Sequence, residues 1–295
     1  MGYLDKILAD DFTLTRDPPP QVTAASELPK NQKGSYRLGS ATDPDATYRV
    51  HDEQIDFGYN VNVAATAHFI RAVHVATGAE PDPVAIPAVL QDEQAHQSVV
   101  PPKFIYDAAT GAGKYFAAVA AVTTGQTQLV APLIPYDTRT ERFTPDDFAL
   151  TDETTLTCPR GRTSATAYRS QSGQGRTFRF LPQLCAACPL ADMCRGAEVL
   201  PDHMRQVFIS DFRSAVAQAR TYAQTEDFKA DMQRRPTIER IIANLVRYHD
   251  ARDARRRDLR NCQYQAHMNA LAFNLRQWLR QLARRHAPDP VPISA

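Results

Sequence analysis

The stretch FIYDAATGAGKYF, Phe104 to Phe116, decides the architecture. A short apolar run stops at Asp107, small residues with Gly111 and Gly113 turn the chain, and an alanine-rich apolar segment follows. A phosphate loop would need glycine, four spacers, then Gly-Lys-Ser/Thr, because backbone amides wrap the phosphates and the hydroxyl holds magnesium. Counting back from Gly113-Lys114, the first glycine position holds Ala108, and the lysine is followed by Tyr115. Both ends fail. The stretch therefore reads as a strand that delivers Asp107 at its carboxyl end, then a turn into a helix.

The flanks extend this reading. GYNVNVAAT, Gly58 to Thr66, alternates apolar and polar residues as a half-buried strand does, and HFIRAVHVAT, His68 to Thr77, repeats the pattern, predicting an antiparallel pair. PDPVAIPAVLQDEQAHQS predicts a helix opened by prolines, PPKFIYD a strand, KYFAAVAAVTT a helix and QLVAPLI a further strand. That order implies an α/β sheet covered by helices, with the last two strands parallel and Asp107 at the edge where such sheets place their sites.

Composition narrows the class. With 43% apolar and 23% charged residues the chain is an ordinary globular protein, and its richest apolar run, YFAAVAAVTT, is too short to span a bilayer. The amino terminus carries acids and no secretory apolar region, which predicts a cytoplasmic protein. A net charge of +1 conceals an asymmetry: acids dominate the first half, whereas arginines crowd the last third, above all in ARDARRRDLRN, Ala251 to Asn261. Such a run suits a polyanion, and equally a solvated helix face.

Residues 140 to about 200 are polar and hold Cys158, Cys185, Cys188 and Cys194; only Cys262 stands apart. The CxxC pair plus two more thiols offers four soft ligands, the set that zinc takes in closed structural sites. Here a metal would replace a missing apolar core. Beyond about Met204 the chain is expected to be helical. Ile238, Ile241, Ile242 and Leu245 recur at helical spacing, and a final helix, MNALAFNLRQWLRQLARR, is expected to bury Leu271, Leu275, Trp278 and Leu279.

The segment RRPTIERIIANLVRYHDARDARRRDLRN followed by HMNALAFNLRQWLR resembles the end of DDE transposases of bacterial insertion sequences. Three further stretches resemble that group in the same order: TDPDATY, GYNVNVA, and the C-P-R-G…C-A-A-C-P…C segment. The resemblance covers about residues 40 to 282. It implies a ribonuclease H-like mixed sheet with flanking helices, a Cys-rich insertion and a C-terminal basic helical region. The parts would be a poorly ordered segment 1–40, an α/β core 41–140, the insertion 141–203, the helical region 204–285 and a tail 286–295. By position, Asp107 matches the second catalytic aspartate and Glu239 the final glutamate, and these carboxylates would hold Mg²⁺ or Mn²⁺. Arg240, Arg247, Arg252, Arg255, Arg256, Arg257 and Arg260 would meet double-stranded DNA at transposon ends, and paired ends imply a homodimer.

The departures are specific. The turn after Asp107 is AATGAGKY where the family has Ala-Gly-Tyr, and Asp258 stands where a glycine is usual. The first catalytic aspartate has no counterpart before Ser40, so the chain is expected to be a C-terminal piece of a transposase. The alternative is a catalytically dead, zinc-containing DNA-binding protein derived from one.

Overall fold

The computed structural model describes residues 12–14, 22–24, 42–51, 54–134, 142–171, 173–195 and 203–286. The chain divides into two units, one formed by residues 1–101 with 233–295 and the other by residues 102–232. Within 1–41 the described pieces are two strands, β1 (Phe12–Leu14) and β2 (Val22–Ala24), paired antiparallel. The expectation for the rest of 1–40, and that for the tail beyond 286, lies outside the described residues.

The first unit is built on an antiparallel meander, β3 (Thr47–His51), β4 (Gln54–Ala65) and β5 (Ile70–Thr77). The two alternating runs thus pair as their period requires. Helix α1 (Ile86–Gln97) packs on this sheet through Ile86, Val89 and Leu90, and its buried Glu93 is neutralised by Arg71 on β5.

The second unit opens with β6 (Lys103–Ile105), α2 (Gly113–Val122) and β7 (Gln128–Val130); the two strands are parallel, as their separation by a helix predicts. Phe116 and Val119 of α2 are buried, as are Leu129 and Val130 of β7, on which the helix packs. The cysteine-bearing part is richer in strands than its composition suggests. It has a hairpin of β8 (Ala149–Leu150) and β9 (Leu156–Thr157), then a sheet in the order β10 (Thr166–Arg169), β11 (Gly175–Phe180) and β12 (Arg205–Ser210). Between β11 and β12 lie two short helices, α3 (Pro182–Ala186) and α4 (Ala191–Cys194). The expectation of a coreless segment is corrected: Phe148, Leu156, Phe178, Phe180, Val207 and Ile209 form an apolar core of their own.

Helices α5 (Arg213–Ala223) and α6 (Glu226–Met232) close this unit. RQVFIS, expected to be helical, is the strand β12, and its alternation of buried and open residues is that of a sheet edge packed on one face. A Cβ on Gly113 would stand 2.6 Å from Phe212 Cβ, so the glycine lets α2 start against the entry to α5. Lys103, Tyr222 and buried Asp231 form a triangle of hydrogen bonds at 2.6–2.7 Å that fixes the start of β6 to α5 and α6. Asp231 and Tyr222 together push the Lys103 pKa upward.

The chain then returns to the first unit as α7 (Pro236–His249) and α8 (Leu259–Arg285). On α7, Ile241 and Leu245 are buried but Ile242 is exposed. The face of α8 reverses the expectation more fully. Leu271, Leu275, Trp278 and Leu279 are about half exposed, and the buried face is Cys262, Ala266, Ala270 and Phe273, set against Ile70, Val73 and Val75 of β5. The alanines bring the helix close to the strand, and two amides on the same face complete the contact. Asn274 accepts from the Ile70 N–H and donates to the Ile70 carbonyl, both at 2.8 Å. Gln263 accepts from the Val75 N–H at 2.7 Å and donates to the Val73 carbonyl at 2.6 Å. Helix α8 thereby serves β5 as a neighbouring strand would, satisfying main-chain groups that a buried edge cannot leave unpaired. Among the described residues no helix is long and apolar enough to cross a membrane.

Candidate functional site

Asp107 follows β6 by two residues, half-buried, and opens a single 3₁₀ turn over Ala108–Thr110. Its Oδ1 accepts from the Ala109 N–H at 2.9 Å, while its carbonyl accepts from the Thr110 hydroxyl at 2.8 Å. This Asx-type turn holds the carboxylate at the carboxyl end of a parallel strand, where the sequence placed it.

Glu239 occupies the first turn of α7, exposed, behind Pro236. Arg235 approaches its Oε1 at 3.3 Å. Asp107 belongs to unit 102–232 and Glu239 to the other unit. Among the described residues no three His, Cys, Asp or Glu side chains are set to hold a metal ion.

The arginine run forms the connector between α7 and α8 rather than a helix face. Arg252, Arg255, Arg256, Arg257 and Arg260 are all exposed, as are Arg240 and Arg247 on α7. Arg255 pairs with Asp250, and its N–H donates to Gln265 on α8. The connector ends at Asp258, which has φ 68° and ψ 152°, a backbone state that suits glycine. The departure from the family's glycine therefore falls where glycine would relieve conformational cost. Asp258 offsets part of that cost as the cap of α8: its Oδ1 accepts from the Asn261 N–H, and its Oδ2 from the Asn261 side-chain amide, both at 2.8 Å.

The TDPDATY motif meets this same helix start. Asp43 accepts from the Asp258 N–H at 3.2 Å and from the Tyr59 hydroxyl, and Asp45 accepts from the Leu259 N–H at 3.1 Å. Two carboxylates at a helix amino terminus satisfy its orphan donors and its dipole. The motif's aspartates thus have a capping role in this unit.

The four clustered cysteines line one small cavity of about 30 Å³ together with Phe148, Phe180 and Arg205. Cys158 begins the turn Cys158-Pro-Arg-Gly161, closed by a Gly161 N–H bond to the Cys158 carbonyl at 2.8 Å; Cys185 and Cys188 share a turn, and Cys194 ends α4. All four are free thiols. Burial pushes the Cys185 and Cys194 thiols upward, and Arg195 and Arg205 respectively draw them back in part. The donors are thus of zinc's kind and gathered round one cavity, but they are not set as a ligand group.

Sequence reasoning missed the two amides. Asn274 is the first residue of the Asn-Leu-Arg triplet in the C-terminal resemblance, and its role is to clamp β5; Arg276, the last, stacks on Tyr248 at 4.7 Å. A polar residue on the core face of a helix is the signal that could have found them.

In comparison with known proteins, residues 157–279 match the family described as the transposase DDE domain. The matched stretch contains the four cysteines, Glu239, the arginine connector and Asn274, and leaves Asp107 outside. No curated protein and no solved structure matches the chain. The resemblance read from the C-terminal motifs therefore holds: segment 157–279 is similar to the transposase DDE domain family.

Proposed function

We propose that the protein acts in DNA transposition as a DDE-type transposase, with double-stranded DNA at transposon ends as its partner and a ribonuclease H-like core. The observation that carries this reading is the family match across Glu239 and the arginine connector. Asp107, at the end of a parallel strand, supplies the second carboxylate, one whose Oδ1 is already oriented by the Ala109 N–H. In such an enzyme a bound divalent cation, Mg²⁺ or Mn²⁺, supplies the activation of a water or 3′-hydroxyl for attack on a phosphodiester. The chain's own carboxylates are hard oxygen donors of the kind these ions take, though the described residues do not gather a complete set. The exposed arginines bind the DNA backbone through charge, so binding weakens steeply with salt. Cys158, Cys185, Cys188 and Cys194 would hold a structural Zn²⁺, which would draw the thiols into ligation as thiolates. The protein would work in the cytoplasm.

The deciding experiment is a Mg²⁺- or Mn²⁺-dependent nicking assay on DNA bearing the element's terminal repeats. Cleavage lost in both Asp107→Ala and Glu239→Ala supports the reading, and cleavage indifferent to both overturns it. Salt-dependent binding without any cleavage favours the second reading, a catalytically dead DNA-binding descendant; the basis for that reading is that no three His, Cys, Asp or Glu side chains among the described residues are set to hold a metal ion. Zinc is tested by elemental analysis of reduced protein, where less than about half an equivalent per chain argues against a four-thiolate site.

A further inference from the structure

Helix α8 carries a second apolar face that the described residues of its own unit leave half exposed. Tyr264, Met268, Leu271, Leu275 and Trp278 follow one another at intervals of four and three residues, with Leu282 next in the series and Leu279 beside Trp278. This is the a/d spacing of a helix seam. At 3.6 residues per turn the seam lies about 170° round the helix from the buried line of Cys262, Ala266, Ala270 and Phe273. The seam side chains from Tyr264 to Leu279 are 44–60% exposed. A residue series this regular, on the side of the helix away from the sheet, has no explanation in the packing of the described residues of the unit.

We propose that this face is the contact surface between two copies of the chain, each presenting the seam of α8 to the other. Two observations select a second copy over a charged partner. Between Arg260 and Arg280 the helix holds a single arginine, Arg276, and that guanidinium is engaged with Tyr248. The positions flanking the seam are Gln265, His267, Ala272, Asn274 and Gln281, so two such faces meet without opposed like charges and offer nothing to a strongly charged ligand. The area also fits. Half-exposed side chains of these sizes present roughly 600 Å² of apolar surface, at the upper end of what a monomer leaves bare. With the neutral flanking residues the face reaches the ~800 Å² per partner of a standard stable interface. A twofold arrangement needs one self-complementary patch, and a seam centred between Leu271 and Leu275 is one.

The inference does not depend on the chemistry proposed above, and a measurement without DNA keeps the two apart. Sedimentation equilibrium of the full chain, DNA-free, from about 1 to 100 µM should give twice the chain mass at the upper concentrations. Leu271→Glu with Leu275→Glu should remain at the single-chain mass throughout that range. Both side chains are half exposed, so far-UV helicity should be unchanged. The milder pair Leu271→Ala and Leu275→Ala should weaken association at least tenfold. A wild-type chain of single mass at every concentration overturns the proposal, as does a dimer that the glutamate pair leaves intact or a polydisperse assembly in place of a discrete dimer.

Discussion

Replacing Asn274 by leucine tests the claim that α8 stands in for a strand at the edge of β5. The change keeps the branched side-chain shape and does not lower helix propensity, but removes both bonds to Ile70, a residue only 5% exposed, whose N–H and carbonyl lose these partners. A buried main-chain group left unpaired costs about 1–3 kcal/mol, so two groups, less the gain from an added apolar side chain, give a net loss of about 2–3 kcal/mol. Gln263→Leu removes the equivalent pair at Val73 and Val75 and should cost a similar amount. The two residues share no partner and lie about 16 Å apart along the helix, so the losses should add in the double variant. Urea unfolding followed by fluorescence reports this unit directly, because the chain's one tryptophan, Trp278, sits on α8. Hydrogen exchange should show faster loss of protection at Ile70 in the first variant and at Val75 in the second. Asn274→Asp supplies the discriminating control: it keeps an acceptor for the Ile70 N–H yet sets a carboxylate against the Ile70 carbonyl, so it should be at least as unstable as the leucine variant. An Asn274→Leu protein within about 0.5 kcal/mol of the parent, with Ile70 protection unchanged, would refute the clamp.

Two further measurements probe the ends of α7 and α8. At Asp258, alanine keeps the unfavourable backbone state and removes the cap, for an expected loss of about 1–3 kcal/mol, whereas glycine relieves about 1–3 kcal/mol of strain against a small capping and entropic loss. Asp258→Gly should therefore lie within about 1 kcal/mol of the parent and well above Asp258→Ala in thermal stability; equal melting of the two variants contradicts the strain. His249, in the last turn of α7 against Phe273, has a pKa lowered by burial and then by Arg276. Above its ordinary value of about 6.5 the ring is neutral in both states, but below it the unfolded chain takes the proton first. Stability should then fall as pH drops below that value and level off once the folded ring protonates, a decline that His249→Phe should remove from a urea-midpoint profile.

The strands and helices between Gly58 and Val130 were legible because their apolar periods are unambiguous: GYNVNVAAT and HFIRAVHVAT alternate, and a helix separates the two parallel strands. The orientation of α8 was not. The helix carries two apolar lines, and periodicity alone cannot say which one faces a sheet. Larger side chains drew the reading to Leu271, Leu275 and Trp278, yet close approach to β5 needs the small Ala266 and Ala270, and main-chain bonding needs the amides. The strand β12 was misread because what buries Val207 and Ile209 is pairing with β11, a partner about thirty residues earlier in the chain. At the candidate sites the sequence located Asp107, Glu239 and the cysteines one at a time. Whether separate residues gather into one ligand set is a tertiary property, and spacing along the chain does not determine it.

The partners of α8 also bear on when the protein can fold. Asp43 and Ile70 meet Asp258 and Asn274 across more than 200 residues, whereas unit 102–232 is a single uninterrupted stretch. On the ribosome the inserted stretch emerges whole and has all its own contacts available, while the meander before it must wait, with the β5 edge open, until the last helix is synthesised. Closing so long a loop costs entropy before any of its bonds form, which makes docking of α8 a late and slow event. Through that interval the bare edge of β5 is open to wrong strand pairing, and to whatever chaperone shields it.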